Sequence, residues 1–163
     1  MLRMYERHCA ALSLIGTELG FDVGGYKTDL GNLDCVWRVK YKQLPPLAQN
    51  LPLIVFEVIC SENQKAMRGS ISNMLVAKPS LAVFVLVEKE IRKQRGATSP
   101  DMWLKRIQNY AKKIKESYKG IMRIDIWTDE DVDRLFRKIC KKGIVNNPQS
   151  EIGGISSLGG KAA

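Results

Sequence analysis

The sequence predicts an α/β fold, a mixed central sheet flanked by helices in three layers. Three observations carry this. Two apolar, β-branched runs, LPLIVFEVIC at 51–60 and LAVFVLV at 81–87, read as strands buried on both faces. The stretch between them is helical in its spacing, with Met67, Ile71, Met74 and Leu75 on one side, so the three form a right-handed parallel strand–helix–strand unit. Further helical patterns at 5–19, 100–118 and 128–143 supply the flanking layers.

In chain order, residues 5–19 read as a helix with His8, Leu12, Ile15 and Leu19 on one face and Gly20 as its stop. His8 heads that stripe and reads as a packed or capping side chain, while Glu6 and Glu18 fall off it. Residues 21–26 form a short strand whose Gly24-Gly25 pair signals a bulge or an edge. TDLGN at 28–32 is a turn. Residues 33–41 form the second strand. Alternation puts Asp34, Val36, Arg38 and Lys40 on one face, with Lys42 beyond, and Cys35, Trp37 and Val39 on the other. Pro45-Pro46 places 43–50 in a loop.

After the strand at 51–60, Ser61 or Asn63 caps a helix that Lys78-Pro79-Ser80 breaks after Ala77. Residues 88–97 read as a basic exposed connection. Ser99-Pro100-Asp101 starts a helix whose buried stripe is Trp103, Ile107, Tyr110 and Ile114. IMRIDIW at 121–127 alternates like a strand. Thr128 caps the last helix, which buries Val132, Leu135, Phe136 and Ile139 and ends at Gly143. A single domain at 1–143 is therefore expected, followed by a flexible Gly/Ser-rich tail at 144–163. The element order is helix, three strands, helix, strand, then helix–strand–helix.

Composition narrows the function. No run approaches the ~18 apolar residues of a membrane span, and the first residues lack a signal peptide's apolar core, so a soluble, intracellular (cytoplasmic) protein is expected. Four separated cysteines and one histidine argue against a zinc site and for reduced thiols. The net charge is +9, yet residues 1–88 carry only +1 and residues 89–143 carry +8. A basic excess confined to one third of the chain suggests a polyanion-binding surface, most simply nucleic acid; a solubilising surface is the other reading. Arg92, Lys93, Arg95, Lys105, Arg106, Lys112 and Lys113 are the candidate phosphate contacts. Walker, dinucleotide and GxSxG patterns are absent from the sequence.

Glu57 stands in the middle of the 51–60 strand, where an ionised carboxylate needs a partner. A salt bridge or a raised pKa would explain it. So would a metal: Asp34 and Glu57, one on each of two strands, can converge on one Mg²⁺, which takes one or two carboxylates plus waters and phosphates.

This order of elements, with Asp34 on the second strand and Glu57 on the third, resembles the PD-(D/E)XK nuclease superfamily and its restriction-endonuclease-like fold. The likeness covers roughly residues 5–87 and is greatest to small archaeal or viral members and to the Holliday-junction resolvases. There a Glu-Arg helix start (here Glu6-Arg7) leads to a Gly-Phe turn (here Gly20-Phe21). The resemblance implies a DNA endonuclease with Asp34 and Glu57 holding Mg²⁺ or Mn²⁺, branched or structured DNA as substrate, and a homodimer where two strands are cut. It also implies a lysine two residues after the glutamate, and here that position is Ile59. Either the cationic role has moved, to Lys65 first or Lys40 second with Gln64 as a polar helper and Glu6 as an accessory acid, or catalysis is lost and the fold binds nucleic acid or protein. A third expectation is a subunit that acts only with a partner.

Overall fold

The computed structural model describes residues 4–40, 51–61, 63–93 and 99–145, the last five as backbone only. The loop at 43–50, Lys42, Arg95 and the tail from 146 lie outside the described residues. The protein is α/β, with one five-stranded mixed sheet and helices on both faces. The elements are α1 (Met4–Glu18), β1 (Phe21–Thr28), β2 (Gly31–Val39), β3 (Pro52–Ile59), α2 (Gln64–Ala77), β4 (Leu81–Leu86), α3 (Glu88–Arg92), α4 (Pro100–Ser117), β5 (Ile124–Thr128) and α5 (Asp129–Val145). The strands lie side by side in chain order. β1, β2 and β3 form an antiparallel meander, and β3, β4 and β5 run parallel.

Alternation along the strands divides the core in two. One face carries Cys35, Trp37, Phe56, Val58, Val83 and Val85, covered by α1 and α5 through Leu12, Ile15 and Val132. The other carries Leu33, Val55, Ile59, Phe84 and Leu86, covered by α2 and α4 through Met67, Ile71, Met74, Leu104, Ile107 and Ala111. β4 is buried from Ala82 on, as its continuous apolar run requires. The caps are local chemistry. Asn63 Oδ1 accepts the amides of Lys65 and Ala66, both at 3.0 Å. Thr128 and Asp131 cap α5 reciprocally: the Asp131 carboxylate accepts the Thr128 amide at 2.9 Å and Thr128 Oγ1 accepts the Asp131 amide at 3.3 Å.

Three expectations need correction. Residues 88–92 form the short helix α3 rather than an open connection, because Ile91 is an apolar anchor only 1% exposed. The order of elements along the chain therefore gains one helix. Leu19 is 46% exposed, since α1 stops before its stripe reaches that residue. The buried stripe of α4 is Leu104, Ile107, Ala111 and Ile114. Trp103 and Tyr110 lie on its shoulder, only partly buried against the core. Among the described residues no helix is long and apolar enough to cross a membrane.

Candidate functional site

Asp34 owes its position to a break in the β1–β2 register. Gly24 pairs with Val36 and Tyr26 with Leu33, so Asp34 and Cys35 together stand opposite Gly25. This is a β-bulge, a device that re-aims a side chain and interrupts the ladder. On the other side of β2, Cys35 pairs with Phe56 and the ladder stops there. Continued one step, that register would set Asp34 opposite Glu57, but the pairing ends before it. The Asp34 carboxylate takes over from the missing ladder bond, accepting the Val58 amide at 2.8 Å through Oδ2. Its other oxygen, Oδ1, accepts the Tyr5 hydroxyl from α1 at 2.5 Å.

Glu57 is 7% exposed. Its Oε2 accepts the Ser70 hydroxyl of α2 at 3.3 Å. Both carboxylates therefore sit near the carboxyl end of β3, where open α/β sheets bind ligands. Asp34 is held from the α1 side and Glu57 from the α2 side.

The Cys9 thiol, half-buried on α1, is pushed up to about 12, by burial first and then by the Asp34 charge, with Glu57 adding in the same direction. Burial, then the bond to Asp34, pushes the Tyr5 phenol well above its ordinary value. One thiol thus feels both carboxylates. Among the described residues no group of three His, Cys, Asp or Glu side chains is close enough to cage a metal. Two hard carboxylate donors on adjacent strands nonetheless suit the needs of Mg²⁺, which completes its octahedron with water and phosphate.

The other expected residues divide. Ile59, two residues after Glu57, is 1% exposed and packed in the core. Lys65 is exposed in the first turn of α2, beside Gln64, Arg68, Trp103 and Arg106. Lys40 does not join the site. It follows the far end of β2, about 20 Å from Asp34 at the usual strand rise, so the shared face expected from alternation does not bring them together. Glu18 ends α1, about 20 Å from Tyr5 along the helix. Glu6 is exposed in the first turn of α1, next to Tyr5. His8 is buried, with Nδ1 donating to the Met4 carbonyl at 2.7 Å, a packed role as expected.

The basic residues also divide. Arg92 pairs with Glu88 at 3.4 Å and with Asp101 at 3.1 Å, and Lys93 pairs with Glu90 at 2.6 Å. Those cations are already engaged by carboxylates. Lys105, Arg106, Lys112 and Lys113 are exposed along α4. Between α2 and α4 lie adjoining clefts of about 510, 510 and 320 Å³. Their walls share Arg68, Tyr110, Lys113, Gln64 and Arg106. Within them Arg68 Nε donates to the Tyr110 hydroxyl at 2.7 Å, and the Arg106 guanidinium lies 5.5 Å from the Trp103 ring centroid.

Sequence reasoning did not single out Tyr5, Cys9, Ser70 or Arg68 as site residues. Tyr5 and Cys9 carried one usable signal, their i, i+4 spacing on one face of α1. The chain matches no family model and no curated protein.

Proposed function

We propose that this protein is a metal-dependent DNA endonuclease with a restriction-endonuclease-like arrangement. The observation that carries the reading is the Asp34 carboxylate, which stands at the β1–β2 bulge and accepts the Val58 amide, next to Glu57 in β3. Asp34 and Glu57 would hold Mg²⁺ or Mn²⁺. Such an ion, when bound, polarises a phosphodiester and lowers the pKa of its water. Tyr5 orients Asp34 by donating to Oδ1, and Ser70 orients Glu57 by donating to Oε2. Lys65, the first basic residue after Glu57 in the chain, supplies the positive charge that Ile59 cannot. The cations of α2 and α4 bind the phosphate backbone on the same side of the sheet as Ser70.

Metal-dependent nicking of supercoiled plasmid and cleavage of a labelled four-way junction test this. Both activities are expected with Mg²⁺ or Mn²⁺, and both are lost in Asp34→Ala and Glu57→Ala while DNA binding persists. Cleavage that survives either substitution overturns the assignment. A second reading, a non-catalytic nucleic-acid-binding protein, is favoured by the depth at which Ile59 is buried. It predicts salt-sensitive binding with no cleavage under either metal. Oligomeric state belongs to the same proposal: cutting two strands calls for a homodimer, which sedimentation on DNA would show.

A further inference from the structure

We propose that the cleft between α2 and α4 binds unpaired, single-stranded DNA. The proposal rests on the nucleic-acid reading above and adds the form of the strand. Its basis is a stripe on α4. Trp103, Arg106, Tyr110 and Lys113 recur at helical spacing and alternate ring, cation, ring, cation. All four line the clefts that α2 closes from the other side with Lys65 and Arg68. From Trp103 to Tyr118 the channel follows about 22 Å of helix. At the ~3.4 Å rise of a stacked strand this accommodates about six nucleotides.

Charge complementarity identifies the occupant as a polyanion. Among the described residues no carboxylate lines the clefts, and Lys65, Arg68, Arg106 and Lys113 form no ion pair. Arg92, Lys93, Lys115 and Arg134, outside that stripe, each have a carboxylate partner. The rings identify the strand as unpaired. A duplex presents phosphates outward and keeps its base faces stacked, so half-buried rings inside a cleft are useless to it. Splayed bases stack on such rings and on guanidinium planes, and Arg68 and Arg106 lie over Tyr110 and Trp103. Among the described residues the buried Trp103 indole N–H also lacks an acceptor.

The test is fluorescence anisotropy with labelled oligo-dT, oligo-rU and a DNA duplex, each about twelve nucleotides long. EDTA is present, so cleavage plays no part. Oligo-dT is expected to bind at least about tenfold more tightly than the duplex, and Tyr110→Ala to remove about tenfold of that affinity while changing duplex binding less than about twofold. Tyr110→Phe retains the oligo-dT affinity, because the stacking ring remains. Arg106→Ala, at an exposed position, repeats the loss should Tyr110→Ala not fold. Duplex binding equal to or tighter than oligo-dT, an rU preference, or oligo-dT affinity indifferent to both Tyr110→Ala and Arg106→Ala overturns the proposal. The nuclease reading fails separately, on plasmid and junction cleavage with metal present.

Discussion

The two faces of the sheet are built from the same kinds of helix and finish differently. On one, α1 and α5 pack against each other over a continuous aromatic and aliphatic layer, and the cleft of about 450 Å³ at its edge is lined by the carboxylates Asp125 and Asp131 as well as by Arg134 and Lys138. Phe21, Trp37, Phe56 and Trp127 form a chain of ring contacts with centroids 5.2, 4.7 and 5.6 Å apart. On the other, α2 and α4 each cover the sheet yet leave clefts between them, and the rings there carry guanidinium groups instead of other rings. A face closed by rings on rings is a device for stability. A face that keeps arginines over half-buried rings, with their charge unneutralised by carboxylates, keeps capacity to bind.

That contrast is challenged hardest by truncating one side chain on each face. Phe56 is 0% exposed and touches two tryptophans, so Phe56→Ala should lower the unfolding free energy by about 3–5 kcal/mol in urea titration. On the other face, Arg106→Ala should lower it by under about 1 kcal/mol while reducing oligo-dT affinity. Comparable losses of stability at the two positions would erase the distinction between a sealed face and a binding face.

A smaller effect probes how tightly the sealed face is closed. A Cβ added at Gly16 would meet Trp37 Nε1 at 2.6 Å and Val23 Cγ2 at 2.7 Å. Trp37 Nε1 also donates to the Leu12 carbonyl at 3.1 Å, so the indole cannot retreat freely. Gly16→Ala should therefore cost about 1–3 kcal/mol, read as a lower midpoint in the same titration. An unchanged midpoint would mean that α1 is not pressed onto β2 as closely as the sealed face requires.

Much of this fold was legible because its signals are local. The apolar runs of β3 and β4 differ from any surface element, and Asn63, Ser99 and Thr128 are caps by side-chain chemistry alone. The α4 stripe was misplaced because large rings outrank Leu104 and Ala111 in apolarity, whereas the sheet accepts the narrower residues beneath the helix. α3 hid behind its charges, with only Ile91 to betray it. The candidate site was half legible. A carboxylate in each of two strand-like runs was visible in the sequence. The bulge that aims Asp34 was not, because it depends on how β1 pairs with β2, and neither were the Tyr5 and Ser70 contacts, which join elements far apart in the chain.

The proposed chemistry requires that Asp34 and Glu57 act on one point and share one cation. Cys9 reports on this without any cleavage, since burial first, then the Asp34 charge and last that of Glu57 hold its thiol up. The decisive measurement is the rate of Cys9 alkylation by iodoacetamide at pH 9.0, the thiol's ordinary value, followed by peptide mass mapping with and without Mg²⁺ or Mn²⁺. A cation held by the pair cancels both negative charges and lowers the thiol pKa. The thiolate fraction then grows, and the rate rises with it by about tenfold if the pKa falls by about one. Asp34→Asn should raise the metal-free rate and abolish the response to metal. A rate that rises in Asp34→Asn but ignores metal in the unmodified protein would contradict the claim, because Cys9 would then sense the carboxylate while no cation occupied it.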